Sequence, residues 1–217
     1  MTSLITQKVD TFFAHFPVIT FTKGEIIIHP DQPLTDIFLL KTGKVRMYVI
    51  SANGEEITLH IFRANSYFPV MLFLSNISNT YFFESLEQST TIKAPAPSVL
   101  EFIKKEPDAL LDLTMRFSDA LCGLLVRIET LAGEDAFVRL IHLLLYLADR
   151  FGQKEGASVV ISLAISHEDI ANWIGLRRET VSRHIEKLQK LNLITIHKKE
   201  LIIPDTQKLK TALETIE

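Results

Sequence analysis

A chain of 217 residues with 47% apolar and 23% charged side chains can bury a sizeable core, which excludes a disordered or low-complexity polypeptide and favours two domains over one. The longest apolar stretch, Leu140 to Ala148, is broken by His142 and falls far short of the roughly 18 residues of a membrane span, so no membrane partner is expected. Net charge is only −3 and Cys122 is the sole cysteine, which excludes intrachain disulfides, CxxC redox chemistry and cysteine-held zinc or iron–sulfur clusters within one chain. Cys122 itself reads as a small core residue. The N-terminal MTSLITQKVD has no cationic segment running into an apolar one, so no secretory signal is visible and a cytoplasmic location is expected.

In chain order, the first hundred residues read as β. Gly24 opens GEIIIHP, Pro30 and Pro33 bracket a turn, and DIFLL precedes Thr42-Gly43. KVRMYVIS and EITLHIF flank Asn53-Gly54, the strongest short hairpin signal in the chain. Val45, Met47 and Val49 alternate with polar residues, as do Ile57, Leu59 and Ile61; an odd loop or a glycine bulge is expected, because it aligns these two apolar sets. Short strands at regular spacing predict a small antiparallel barrel or roll over residues 1–106.

After Pro107 the period changes. Leu110, Thr114, Phe117, Leu121, Leu124, Ile128 and Leu131 follow one another at spacings of 4, 3, 4, 3, 4 and 3, a heptad seam. So narrow a stripe suits a partner helix better than a broad core, and predicts a parallel homodimer helix over 107–133. Gly133 ends it. A strongly apolar helix then runs from about Asp135 to Phe151, followed by a loop from Gly152 to Gly156.

The last third, from 134 to 217, is compact. Ser166 and Asp169 form a capping box in its acidic variant and open a helix through Ile174; Gly175 supplies a turn, and Arg178 to Lys190 a second helix. LITIHKKELII then reads as a hairpin turning at Lys198-Lys199. Helix, turn, helix and β wing is the order of a winged helix-turn-helix. At 100° per residue Glu179, Ser182, Arg183 and Glu186 share one face and Val181, Ile185 and Leu188 the opposite one. One face is anchored and the other presented, as a helix entering a major groove requires. Charge supports this: from Arg177 to Lys199 there are seven Lys/Arg against Glu179 and Glu186, a net +5, whereas residues 1–176 carry 14 against 20, a net −6. Such local positive charge is the footprint of a polyanion-binding surface. Glu179 and Arg183, at i and i+4, also fit a solvated surface ion pair.

EDIANWIGLRRETVSRHIEKLQKLNLI resembles the DNA-reading segment of the catabolite-activator and anaerobic-regulator (CRP/FNR) family, whose recognition helix reads R-E-T-V-x-R or x-E-T-x-S-R; Arg178 to Arg183 carry both variants at once. The resemblance covers the whole chain in order and rests, at the N-terminal end, mainly on DIFLLKTGKVRMY. It implies an α+β architecture: a cyclic-nucleotide-binding-like β-roll sensor, a long dimerisation helix and a winged helix-turn-helix. It also implies a homodimeric, sequence-specific regulator, not an enzyme, with double-stranded DNA and RNA polymerase as partners. Arg178, Glu179, Ser182 and Arg183 are then the base readers, and Arg177, Thr180, Lys198 and Lys199 the phosphate contacts. Glu179 would accept from a cytosine amino group, Arg183 would meet guanine, and Arg178 an outer guanine, giving a TGTGA-like half-site. Ser182 against thymine would give TTGA instead.

Departures from the family pattern also carry expectations. Arg177 stands where a capping Ser or Thr is usual, which removes a side-chain cap worth about 1 kcal/mol. His184 replaces an aliphatic residue and is read as part-buried and neutral. In the sensor, the stretch from Ala64 to Thr90 contains no arginine where cyclic-nucleotide binders carry an Arg-Ser/Thr-Ala motif, so a cyclic phosphate would lack a charged partner and cyclic AMP is not expected. The anaerobic regulator's cysteine cluster is absent, so neither is an iron–sulfur cluster. Phe68, Met71, Phe73, Tyr81 and Phe82 are the candidate lining of an apolar effector or haem pocket, against the simpler reading that they are core; His29 and His60 are weak candidates for haem or metal ligands. No metal site is assigned and the effector is left open. Two other classes compete. A cupin-type barrel enzyme needs an H-x-H spacing that His60 with Glu55 and Glu56 does not supply. A protein-interaction module with a degenerate sensor would set the basic helix on an acidic partner.

Overall fold

A computed structural model describes residues 2–133, 135–162, 166–197 and 200–214. The chain divides into two compact units, Met1–Cys122 and Gly123–Glu217.

The first unit begins with α1 (Thr2–Phe13), an element that a reading of the first hundred residues as β passes over. Its period is 3.6: Val9 and Phe13 are buried, with Ile5, Phe12 and Phe16 packed beside them. Strands follow as β1 (Val18–Phe21), β2 (Ile26–Ile28), β3 (Asp36–Thr42), β4 (Val45–Ile50), β5 (Glu56–Phe62) and β6 (Tyr67–Phe68), then α2 (Val70–Ser75), β7 (Phe82–Ser85), β8 (Ser89–Pro95), α3 (Ala96–Lys105) and α4 (Pro107–Gly133). They form two four-stranded antiparallel sheets, ordered β1-β8-β3-β6 and β2-β7-β4-β5.

β3 explains why the roll has two cores. Ile37 to Leu40 are all buried, so neither face of this strand meets water. Ile37 and Leu39 join Val9, Phe13, Ile92, Val99 and Leu113 in a cluster under α1, α3 and α4. Phe38 and Leu40 point the other way, onto Ile28, Val45, Phe68 and Phe83 of both sheets. Phe68 is the centre of that second cluster, stacked 5.4 Å from Phe38 and 5.6 Å from Phe83.

The Asn53-Gly54 hairpin forms, with Gly54 at φ 81° and Val49 opposite Ile57, as an odd loop requires. The alignment of the two apolar sets does not persist. The register shifts at Leu59, so that Tyr48 faces Thr58 while Met47 faces His60 and Arg46 faces Ile61. Burial does not follow the apolar set either: Arg46 and Tyr48 are buried while Met47 and Val49 are only half-buried. Arg46 sits 2.6 Å from Glu84 and 2.7 Å from Glu56, with its guanidinium 4.2 Å above the Tyr48 ring. A polar residue buried with two carboxylates and an aromatic face looks, in the sequence, like a solvent-facing position.

α4 is one continuous helix. Leu110, Leu121, Leu124 and Ile128 of the expected seam are exposed apolar residues, and Leu111, Met115 and Leu125 widen the stripe. Thr114 is exposed and donates its hydroxyl to the Leu110 carbonyl at 2.8 Å. Phe117 departs from the expectation, because it packs with Leu113 onto the sensor's own cluster. The Leu131 side chain lies outside the described residues. Cys122 is exposed, not a core residue. Arg116 holds α4 to the roll, pairing with Asp112, donating to the Asn65 carbonyl at 3.1 Å and lying over Tyr67.

The second unit contains α5 (Ala136–Phe151), β9 (Gly152–Glu155), β10 (Ser158–Ile161), α6 (His167–Ile174), α7 (Arg178–Lys190), β11 (Thr195–His197), β12 (Glu200–Ile203) and α8 (Thr206–Glu214). Residues 152–156, expected as a loop, instead belong to a hairpin, with Gly152 opposite Ile161. A side chain at Gly152 would strike the Ala148 carbonyl and Val159, so the glycine lets the strand leave α5 directly. The sheet order β11-β12-β10-β9 joins this hairpin to the wing. Among the described residues no helix is long and apolar enough to cross a membrane.

Candidate nucleic-acid interface

The interface is built on α6 and α7. Ser166 caps α6 by accepting from the Asp169 N–H at 3.1 Å, and the Asp169 carboxylate accepts from the Ser166 N–H at 2.8 Å, closing the capping box read from the sequence. Gly175 ends the helix at φ 64°, the left-handed conformation in which glycine pays no steric penalty, and so turns the chain into α7. At the start of α7, Arg177 is extended and supplies no side-chain cap.

The two faces of α7 separate by burial. Val181 and Leu188 are fully buried and Ile185 nearly so. Arg177, Arg178, Glu179, Arg183, Glu186, Lys187 and Lys190 are exposed, and Thr180 and Ser182 are half-buried. Four of the residues assigned to bases and phosphates, Arg177, Arg178, Glu179 and Arg183, therefore share an exposed, basic surface. Lys198 and Lys199 lie outside the described residues, between the paired strands β11 and β12.

Two side chains tie α7 to its neighbours. Ser182 Oγ lies 2.8 Å from Nδ1 of His167, the first residue of α6. His184 is half-buried against the Phe137 ring, 5.4 Å away at the start of α5, and Lys187 Nζ stands 4.1 Å over the same ring. Burial, reinforced by Arg183 and Lys187 and opposed by Asp135, lowers the His184 pKa below the ordinary imidazole value. Trp173 and Tyr146, in edge contact 5.9 Å apart, complete the packing of α6 on α5.

The candidate effector residues do not share one cavity. Phe68 is core, with Tyr81 beside it; Phe73 belongs to the helix-covered cluster; Met71 is half exposed; Phe82 stacks on Tyr48 at 5.0 Å. His29 stands edge-on to Phe82 and His60 edge-on to Phe62. Asn79, buried within the arginine-free segment, donates to the His29 and Tyr81 carbonyls and accepts from the Tyr81 N–H. Both Nδ2 protons and one Oδ1 lone pair are thus engaged with backbone.

A β-roll followed by a long helix and a winged helix-turn-helix whose second helix exposes a basic face defines a DNA-binding regulator. Residues 18–106 match the cyclic nucleotide-binding domain, and residues 138–212 the Crp-like helix-turn-helix domain. The chain is 31% identical over 190 residues to the global nitrogen regulator of Nostoc sp., covering 86% of this chain and 85% of that protein. It is 32% identical to the global nitrogen regulator of Synechocystis sp., over 86% and 84% of the two chains. A solved structure of a CooA variant from Carboxydothermus hydrogenoformans superposes with a TM-score of 0.79 at 25% identity, over 94% of this chain and 90% of that one. The chain belongs to the CRP/FNR family of DNA-binding transcription regulators, and these relatives are regulators, not enzymes.

Proposed function

We propose that this regulator acts as a cytoplasmic homodimer that reads a palindrome through α7 and works on RNA polymerase in response to an effector other than a cyclic nucleotide. The observation that carries the reading is the division of α7, with Val181, Ile185 and Leu188 buried behind an exposed face holding Arg178, Glu179 and Arg183. Arginine bridges guanine O6 and N7, and glutamate accepts from cytosine N4, so Glu179 and Arg183 specify a TGA-containing half-site. Arg178 extends it toward TGTGA; Ser182 against thymine favours TTGA. Arg177, Thr180, Lys198 and Lys199 hold phosphates. The exposed stripe from Leu110 to Ile128 supports a dimer formed along α4. Its two-fold axis would set half-site centres about 34 Å apart.

Selection of bound sites from random duplex DNA, with and without cell extract, tests the reading. A palindrome with TGA-containing halves is expected. An Arg183→Ala protein that binds the selected and a scrambled duplex with an unchanged affinity ratio would return α7 to a merely solvated face. The names of the Nostoc and Synechocystis relatives make nitrogen supply the first variable to change when target promoters are sought.

A further inference from the structure

Ser182 is the reading-face residue whose side chain is already engaged within the protein. Its hydroxyl has one proton and two lone pairs. A serine inside a helix commonly turns its hydroxyl back to the carbonyl one turn earlier. Here Oγ instead meets His167 Nδ1 at 2.8 Å, across the turn between α6 and α7. Both partners are held: His167 follows the capping box of Ser166 and Asp169, and Ser182 lies beside the buried Val181. Both are half-buried, so the pair borders the exposed surface of Arg178, Glu179 and Arg183.

We propose that His167 is a positioning residue for base readout: through its hydrogen bond it fixes the direction of the Ser182 hydroxyl and the role left for the base opposite. When Nδ1 accepts, the serine proton is consumed and Oγ offers only lone pairs, which suit the amino group of adenine or cytosine. When Nδ1 carries the ring proton, the serine keeps its own for a thymine O4 or guanine O6. In both cases a residue of α6, the helix outside the groove, enters the base code. The inference rests on α7 being the reading helix and assigns one position of that code to a pair of side chains.

The test uses the full-length protein and its selected duplex, with each half-site position changed in turn to the other three bases. His167→Ala and Ser182→Ala should each alter preference at the same base pair, by about two- to ten-fold, the range of one neutral hydrogen bond. The double variant should show no further change. His167→Asn, whose amide reaches the place of Nδ1, should restore the preference, whereas His167→Gln, which reaches the place of Nε2, should not. The proposal is overturned if His167→Ala weakens binding to every duplex alike, or moves preference at a pair that Ser182→Ala leaves untouched. A purely structural tie between the helices would lower thermal stability without moving any base preference. Arg183→Ala serves as the control: if it shifts preference while His167→Ala does not, only this inference falls, and if neither shifts, the reading of α7 falls too.

Discussion

Glu179→Ala and Arg183→Ala are each expected to cost about 1–3 kcal/mol on the preferred site and to relax selectivity at one base pair, measured by titration of matched and mismatched duplexes. Phosphate contacts should behave differently: Lys198→Ala or Lys199→Ala should weaken binding to all duplexes alike and flatten the dependence on salt. His184 gives a third residue-scale expectation. Burial, then the Arg183 charge, lowers its folded pKa below the unfolded value of about 6.5, so the unfolded chain binds the extra proton more readily. Stability is therefore retained above the unfolded pKa and falls as pH drops through it. Melting curves of His184→Gln should show a shallower loss between pH 7 and pH 5; a loss as steep as in the parent protein would assign the acid sensitivity to other groups. His184 was legible from the family resemblance, which puts an aliphatic residue at its place. The bond between His167 and Ser182 was not, because it joins residues that are brought together only when Gly175 folds one helix across the other.

At the scale of elements, α4 makes two separable predictions. Replacing Leu121 and Leu124, both exposed, with charged residues should give monomers in sedimentation while leaving each subunit folded. An unchanged dimer would move the interface elsewhere. Phe117→Ala should instead destabilise the sensor, by a part of the roughly 3–5 kcal/mol that removing a fully buried phenylalanine costs, and leave association intact. The heptad pattern named the helix and most of its exposed stripe correctly, since side chains three and four apart share a face whatever lies opposite. It could not tell which apolar residue turns to the helix's own domain, because Phe117 satisfies both the seam and the cluster around Leu113. Helices α6 and α7 were the most legible elements: cap, glycine turn and apolar period agree there. α1 was hidden by its Thr, Val and Phe content, which favours strands locally, while its 3.6 period became decisive only once a hydrophobic sheet face was available to receive it.

For the whole molecule, charge and ligand choice follow from where cations are spent. Arg46 and Lys44 are bound to carboxylates, at 2.6 Å from Glu84 and 3.0 Å from Glu87, and residues 64–90 contain neither Lys nor Arg. Calorimetry with cyclic AMP or cyclic GMP should therefore show no binding at sub-millimolar concentrations, and micromolar binding would require another phosphate partner. The roll itself could be read from strand spacing and turns. An effector site could not, because the aromatic residues proposed for it are neighbours in sequence yet alternate between the sheet interior, the helix-covered cluster and the outer face. Strand alternation scatters what a linear motif gathers, so short-range patterns delineated α6 and α7 but could not gather the residues of a sensor site.

The boundary between the compact units falls at Cys122 and Gly123, inside α4 and not in a loop. For anyone dividing the gene, no clean cut exists there. A fragment stopped at Cys122 would end in open helix, with four carbonyls lacking their intrahelical donors, and would lose Leu124, Leu125 and Ile128 from its apolar stripe. One started at Gly123 would begin in the same unfinished state. Gly123 is also the residue that lowers helix propensity most at this point, and among the described residues a methyl group there would meet only Tyr146, at an ordinary 3.5 Å. Gly123→Ala should raise stability by about 0.5–1 kcal/mol and slow protease nicking of the helix, which makes it the first change to introduce before crystallising the intact chain.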